Sequence, residues 1–291
     1  MMIFRNANDM RTWSREQRCA GKTIGFVPTM GAMHEGHASL MRAAAEQNDV
    51  AVVSIFVNPT QFAPNEDFDE YPRTWDADLA VAEETRMDAI YAPTGPGMYP
   101  QGYATYVAVE QLTQGLCGTS RPTFFRGVAT VVTKLFTAVE PDRAYFGQKD
   151  AQQYAVIKRM TRDLDLGIEI VEMPIVREPD GMAMSSRNRY LTPEDRQRAR
   201  CISQALFQAR ALLEAGERDA QKVTAAVREG MADVDAIDYI ALVDPEEITP
   251  LEAIAGPLLL AVAARVGTTR LIDNIKFRPN ASKDRKANRE T

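Results

Sequence analysis

The stretch Thr23-Ile24-Gly25-Phe26-Val27-Pro28-Thr29-Met30-Gly31-Ala32-Met33-His34-Glu35-Gly36-His37 carries the pattern on which the fold turns. Its first five residues read as a short buried strand closed by Pro28. A glycine-containing loop from Thr29 to Glu35 follows, and the chain continues as a helix to about Ala45. The next segment repeats the unit. Val50 to Val57 is a continuous apolar strand of the kind that parallel sheets cover on both faces. A helix over Asp76 to Met87 and a strand at Ala89-Ile90-Tyr91 follow. From Gly127, apolar residues Val128, Val131, Val132, Leu135, Phe136 and Val139 recur at helical spacing. A strand from Arg143 to Phe146 then runs into Gly147-Gln148-Lys149-Asp150 and a helix to about Leu164. Repeated β–α–β order predicts an α/β fold, a Rossmann-like doubly wound parallel sheet.

The pattern changes after a strand over Ile168 to Val176. Thr192 as N-cap and Pro193 at the first helical position open a long helix to Leu213, with Ala199, Ile202, Leu206, Ala209 and Leu213 as its buried stripe. A helix over Ala220 to Ala232 and strands at Ala236 to Val243, Leu258 to Arg265 and Arg270 to Asp273 complete a smaller α+β domain. The expected division is 1–176 for the Rossmann-like domain and 177–283 for the smaller one. A polar tail at 284–291 is expected to fray.

The chain has 291 residues, 45% hydrophobic and 25% charged. That length suffices for a core without disulfides or a structural metal, and the composition excludes collagenous, low-complexity and mainly disordered classes. With 34 basic and 40 acidic residues the net charge is -6, which speaks against broad electrostatic binding of nucleic acid. A local cluster of donors can still hold a small anion on an acidic protein. Cys19, Cys117 and Cys201 match no zinc spacing and no disulfide framework, so buried or inert thiols are expected. The first residues lack the apolar run of a signal peptide, and the longest apolar run, Leu258 to Ala264, is too short to span a bilayer. A cytoplasmic protein that engages no membrane is expected.

Only two histidines occur, His34 and His37, so imidazole chemistry is confined to one strand-to-helix loop. Such loops lie at the carboxyl edge of an α/β sheet, where free N–H groups and the positive end of the helix dipole favour phosphate. Three residues apart, both rings can face one ligand across the first turn, and Gly36 would let phosphate approach the backbone. A satisfied pair at a helix start fits the same spacing. Zinc fits poorly, because the spacing is i,i+3 and there is no third histidine. A second cluster, Gly181-Met182-Ala183-Met184-Ser185-Ser186-Arg187-Asn188-Arg189, suits a mobile phosphate clamp or a solvated linker. In a third, Phe146 to Asp150, Lys149 suits a phosphate and Asp150 suits ribose hydroxyls or a helix cap. In a fourth, Asn58 and Gln61 are neutral amides suited to hydroxyls and carboxylates of a small ligand. Together these clusters describe a mononucleotide site.

The His34-Glu35-Gly36-His37 element and the Met184-Ser185-Ser186-Arg187 loop resemble the paired signatures of nucleotidyltransferases related to class I aminoacyl-tRNA synthetases. Longer runs are similar to those of the pantoate–β-alanine ligases (pantothenate synthetases) and occur in that family's order. They are Pro28-Thr29-Met30-Gly31, Phe56-Val57-Asn58-Pro59-Thr60-Gln61-Phe62, Tyr71-Pro72-Arg73-Thr74, Gly147-Gln148-Lys149-Asp150-Ala151-Gln152-Gln153 and Met184 to Leu191. The resemblance implies an ATP-dependent condensation of (R)-pantoate with β-alanine, through pantoyl adenylate, to pantothenate, AMP and pyrophosphate. It also implies Mg²⁺ accompanying the ATP, no prosthetic group, no metal ligated by the protein and a homodimer.

By the same resemblance, His37 donates a proton to the phosphate oxygens at the transition state, with His34 alongside and Lys149 on the phosphates. Met30, Gly31, Ala32, Met33, His34, Glu35, Gly36 and His37 would cradle ATP, and Gly147, Gln148, Lys149 and Asp150 would add contacts. Val176 would meet adenine through its backbone, and Met184, Ser185, Ser186 and Arg187 would close over the triphosphate. Gln61 and Gln153 would hold pantoate, with Gln61 also near β-alanine. Arg121 is available for phosphate. Asp78 could help arrange Mg²⁺, although an aspartate on a helix surface fits it better. One departure concerns the family's His-Phe pair before the Gly-Val of the long helix. Here Phe124-Phe125-Arg126 precedes Gly127, so no third imidazole is available.

Overall fold

The computed structural model describes residues 1–64 and 66–279; the tail expected at 284–291 lies outside them. Among the described residues, six strands form one parallel sheet in the order β1-β4-β3-β2-β5-β6. They are β1 (Met2–Phe4), β2 (Ile24–Thr29), β3 (Val50–Ile55), β4 (Ala89–Tyr91), β5 (Arg143–Gly147) and β6 (Glu169–Met173). The helices between them are α1 (Ala7–Cys19), α2 (Glu35–Gln47), α3 (Trp75–Glu84), the short α4 (Gly95–Met98) and α5 (Cys117–Ser120), α6 (Phe124–Val139) and α7 (Ala151–Asp163). Alternation along β3 explains why it is apolar at every position but Ser54. Val50 and Val52 face the cluster built on Phe26 and Phe136, while Ala51 and Val53 face Met41, Ala44 and Tyr145 on the other side. Both faces are covered, and the single polar side chain of the strand, Ser54, is fully buried with its hydroxyl unpaired among the described residues.

A smaller unit follows. Helices α8 (Pro193–Glu214) and α9 (Ala220–Gly230) pack on an antiparallel sheet of β7 (Ala236–Val243), β8 (Leu258–Val266) and β9 (Thr269–Phe277). The expected start of α8 holds: Thr192 Oγ1 accepts from the Asp195 N–H at 3.1 Å. Its stripe, Ala199, Ile202, Leu206, Ala209 and Leu213, is buried. No described helix is long and apolar enough to cross a membrane.

Several local expectations need correction. Pro28 does not close β2, which runs on to Thr29. Pairing with β5 stops at Phe26, so the missing N–H of Pro28 removes no bond from that side. The strand expected over 168–176 is shorter, Glu169–Met173, because the chain then turns into a hairpin held by Met184 N–H donating to Val176 O at 3.0 Å. β1 and α1 have no counterpart in the sequence reading. Their apolar contribution is thin, Met10 alone among the apolar residues of α1 being fully buried. Cys117 and Cys201 are buried thiols, but Cys19 is exposed.

Candidate active site

A cavity of about 860 Å³ opens at the carboxyl ends of β2, β3, β5 and β6 and is closed on its far side by α8 and the β8–β9 hairpin. The chain winds outward from β2 to β3 and β4 in one direction, and from β5 to β6 in the other. The histidine turn after β2 and the lysine turn after β5 therefore flank the switch point, where such sheets bind ligands.

The histidine turn is built to an unusual plan. Gly31 and Ala32 both take positive φ, at 79° and 50°, which turns the backbone N–H groups of Ala32 and Met33 away from the cavity. Asp78 accepts both, at 3.1 and 2.8 Å, and accepts the Thr74 hydroxyl at 3.2 Å. At 2% exposure Asp78 is not a surface aspartate. Its carboxylate is committed to the loop, which also corrects the idea of a free Mg²⁺ group. The packing leaves no room for a side chain at 31, where a Cβ would sit 2.8 Å from Asp78 Oδ2.

The two imidazoles lie against each other, with centroids 4.1 Å apart and planes tilted by 34°. The Gly36 N–H donates to His34 Nδ1 at 3.1 Å, and the His34 N–H donates to His37 Nδ1 at 3.4 Å. An Nδ1 that accepts carries no proton, so both rings are assigned the Nε2–H tautomer. Burial, then the positive charge of Lys149, pulls the His34 pKa down to about 4. Burial, then His34 and Lys149, pulls His37 down to about 3. Both rings are therefore neutral donors at pH 7. Gly36 has a further role beyond a close approach of phosphate. A Cβ there would meet the His34 ring at 2.8 Å, so the glycine makes room for the imidazole itself.

On the opposite flank, α6 lies directly on the turn after β3. A Cβ on Gly127 would fall 2.6 Å from the Thr60 carbonyl carbon and 2.8 Å from the Gln61 nitrogen. Asn58 is buried in this contact. Its Nδ2 donates to Gln61 Oε1 at 3.1 Å and to Gly127 O at 3.2 Å, and its Oδ1 accepts from Tyr99 OH at 2.7 Å and Thr60 Oγ1 at 2.9 Å. Asn58 lines the cavity beside Gln61, and its amide, engaged at both ends, aims Gln61.

Acidic residues at the mouth engage the two nearby arginines. Arg121 donates to both Glu66 oxygens at 2.6 Å, and its guanidinium lies 3.8 Å from the Phe124 ring centroid. Arg187 donates to the two oxygens of Asp67 at 2.9 and 3.1 Å. Neither pairing was legible in sequence, because nothing in the spacing of residues 66 and 67 points to positions 121 and 187.

Of the residues expected at the site, the cavity gathers Met30, His34, Gly36, His37, Gln61, Gly147, Lys149, Asp150, Gln153, Val176, Met184, Ser185, Ser186 and Arg187, and Arg121 beside them. Gly31, Ala32, Met33, Glu35 and Gln148 do not line it. The first three are held against Asp78 or behind it, Glu35 pairs with Arg42, and the Gln148 side chain turns to Asn274. Arg187 belongs to a 3-10 turn, Ser186–Tyr190, that Ser185 caps, its hydroxyl accepting the Arg187 N–H at 3.3 Å.

Comparison with known proteins agrees with this geometry. The family model described as pantoate-beta-alanine ligase matches residues 2–276. A pantothenate synthetase of Heliobacterium modesticaldum is 55% identical over 277 residues, spanning 94% of this chain and 99% of its own. The crystal structure of pantothenate synthetase from Thermus thermophilus superposes with a TM-score of 0.90 at 42% identity, covering 96% of this chain and 100% of the other. The pantoate-beta-alanine ligase of Francisella tularensis, solved with beta-gamma ATP and beta-alanine, gives 0.74 at 32% identity over 94% and 97% of the two chains.

Proposed function

The chain belongs to the pantoate–β-alanine ligase family, whose members are ATP-dependent acid–amine ligases, and from that premise we propose how its own residues carry the two half-reactions. In the first, a carboxylate oxygen of (R)-pantoate attacks the α-phosphorus of ATP and pyrophosphate leaves, giving pantoyl adenylate. In the second, the amine of β-alanine attacks the acyl carbon and AMP leaves, giving pantothenate. Such transfers depend mainly on positioning and charge stabilisation.

The observation that carries the assignment is the imidazole pair with both Nδ1 atoms capped by backbone N–H groups. The Nε2–H edges of His37 and His34 are left to donate to phosphate oxygens, and Lys149 supplies the full positive charge. Met30 and Gly36 border the nucleotide on one side, and Gly147 and Asp150 on the other, Asp150 toward the ribose. Val176 offers adenine its N–H, its carbonyl being held by Met184. Met184, Ser185, Ser186 and Arg187 close over the triphosphate, with Arg187 exchanging the Asp67 carboxylate for phosphate oxygens. Gln61 and Gln153 hold pantoate, and Gln61 also borders β-alanine. That the Francisella tularensis ligase was solved with beta-gamma ATP and beta-alanine supports these two as substrates here.

Mg²⁺ enters with the substrate, on the triphosphate. Among the described residues no group of three His, Cys, Asp or Glu side chains could hold a metal, and Asp78 is taken by loop amides. On this reading the ion would be ligated by phosphate oxygens and water, with Asp150 able to accept from one of those waters. We further propose units spanning 1–176 and 177–283, of which 280–283 lie outside the described residues, and a cytoplasmic homodimer; light scattering checks the dimer.

Incubation with ATP, pantoate and β-alanine tests the reaction. AMP release that depends on β-alanine is expected, and nucleotidyl transfer without it would sink the ligase reading. Lys149→Ala should slow pyrophosphate release about 100-fold or more, as loss of one charge stabiliser does, while leaving β-alanine capture of isolated adenylate within about threefold. Equal losses in both half-reactions would contradict the role given to Lys149.

A further inference from the structure

The lysine turn is not held by its own sheet. Residues Gln148–Asp150 form a single 3-10 turn between β5 and α7, and its carbonyl groups, with two lone pairs each, can take further donors from elsewhere. They find them in Asn274 of β9, on the smaller unit. Asn274 is 2% exposed. Its Nδ2 donates to Gln148 O at 2.9 Å and to Lys149 O at 3.0 Å, and its Oδ1 accepts from Gln148 Nε2 at 3.0 Å. The orientation of this amide is fixed by chemistry, because two carbonyl oxygens can only accept.

The strand that carries Asn274 is itself tied to the other side of the cavity. The preceding residue, Asp273, takes both Nη atoms of Arg177 at 2.7 and 3.0 Å, and Arg177 also donates to Gly181 O at 3.0 Å. Residues 176–184 form the hairpin that leads into the Ser/Arg loop. One dipeptide of β9 thus touches both the lysine turn and the root of the loop facing it.

We propose that Asn274 is a positioning residue for adenylate formation, fixing the backbone of Lys149, and hence the reach of its ammonium group, from the smaller unit. This rests on the reading of Lys149 as a phosphate-side group. A buried amide making three bonds to one turn is costly to leave half-satisfied, so the turn and strand move as one body. Misplacement of a charge stabiliser by about 1 Å is enough to cost on the order of 100-fold in rate.

The test compares Asn274→Ala and Asn274→Asp with Lys149→Ala, in single variants and in the Asn274→Ala/Lys149→Ala double variant. Asn274→Asp keeps the shape but faces two carbonyl oxygens with an acceptor. Pyrophosphate release without β-alanine reads adenylation, AMP release from isolated pantoyl adenylate reads capture, and thermal melting reads folding. Each Asn274 variant should slow adenylation about 10- to 100-fold while capture stays within about threefold. In the Lys149→Ala background, Asn274→Ala should cost less than about threefold more, since two residues acting as one unit are not additive.

Normal adenylation in a folded Asn274→Ala protein would overturn the proposal, as would an undiminished loss on top of Lys149→Ala. If Asn274→Ala does not fold, Gln148→Ala decides, because it removes only the bond to Asn274 Oδ1. A loss confined to adenylation supports the proposal, and an unchanged rate ends it. Should Lys149→Ala itself spare adenylation, the reading of Lys149 fails and this inference falls with it. Should Lys149→Ala abolish adenylation while Asn274→Ala spares it, only this inference fails.

Discussion

On one flank of the cavity, α6 rests its Gly127 on the backbone of Thr60 and Gln61, and Asn58 spends both ends of its amide inside that contact. On the other, the Ser/Arg loop is held across the mouth by Arg187 against Asp67, with side chains 30% and 23% exposed. Backbone packed on backbone has no alternative arrangement nearby and is indifferent to salt. Part-exposed ion pairs are screened by salt and can be exchanged for another anion of similar geometry. On the proposed assignment, the pantoate side is set before substrate arrives, whereas the nucleotide side is held by groups that a triphosphate can replace.

The packed flank breaks with one methyl group. In Gly127→Ala the new carbon would meet backbone, with no flexible side chain to yield. Helix propensity favours alanine by about 1 kcal/mol, but overpacking of this kind costs about 1–3 kcal/mol and moves the turn. The KM for pantoate should rise about tenfold or more, with the KM for ATP within about threefold. Equal rises for both substrates would erase the distinction between the flanks.

The nucleotide flank should instead betray itself through pH. His34 and His37 titrate near 4 and 3 in the folded chain because burial and Lys149 oppose their charging, against about 6.5 in an unfolded one. As pH falls below about 6.5 the unfolded chain takes up these protons first, so stability present above that pH is lost progressively toward pH 4 and 3. His37→Gln removes one such group. Denaturant titrations at pH 7.5 and pH 4.5 should show a smaller drop in unfolding free energy for His37→Gln than for the parent chain. Identical drops would mean that His37 is not held neutral by its surroundings.

What could be read in the sequence follows the same division. The parallel sheet was legible because β3 is apolar at every position but one and α6 repeats its stripe without interruption. The histidine, lysine and Ser/Arg clusters were legible because each lies within a few consecutive residues at a strand end or loop. What stayed hidden was contact between distant positions. Asp78 reads as a polar residue on a helix, and only the fold brings it under residues 32 and 33, 46 and 45 positions away. Asn58 and Gln61 look alike as neutral amides after a strand and both line the cavity, yet Asn58 is buried as a brace while Gln61 is only half-buried. That split depends on Gly127, nearly seventy residues later in the chain.

Phe124 sits where the two flanks meet, at the first position of α6 and beneath the guanidinium of Arg121. The ring stacks on a cation whose edge is already paired with Glu66, so the aromatic face holds Arg121 flat without adding a charge. A histidine there would keep a flat ring but change its electrostatics. Neutral above about pH 6.5, it is a weaker partner for a cation; charged below that, it repels one. A cation–π contact of this kind is worth about 0.5–1 kcal/mol when exposed and up to about 2 when desolvated. Phe124→His should therefore shift the KM for pantoate or β-alanine by less than about fivefold at pH 8 and by more at pH 6, because only the lower pH charges the new ring. Steady-state KM values at the two pH values, corrected by the parent chain's own profile, measure this directly. A shift of the same size at both would place the effect in shape and assign Phe124 to the packed flank alone.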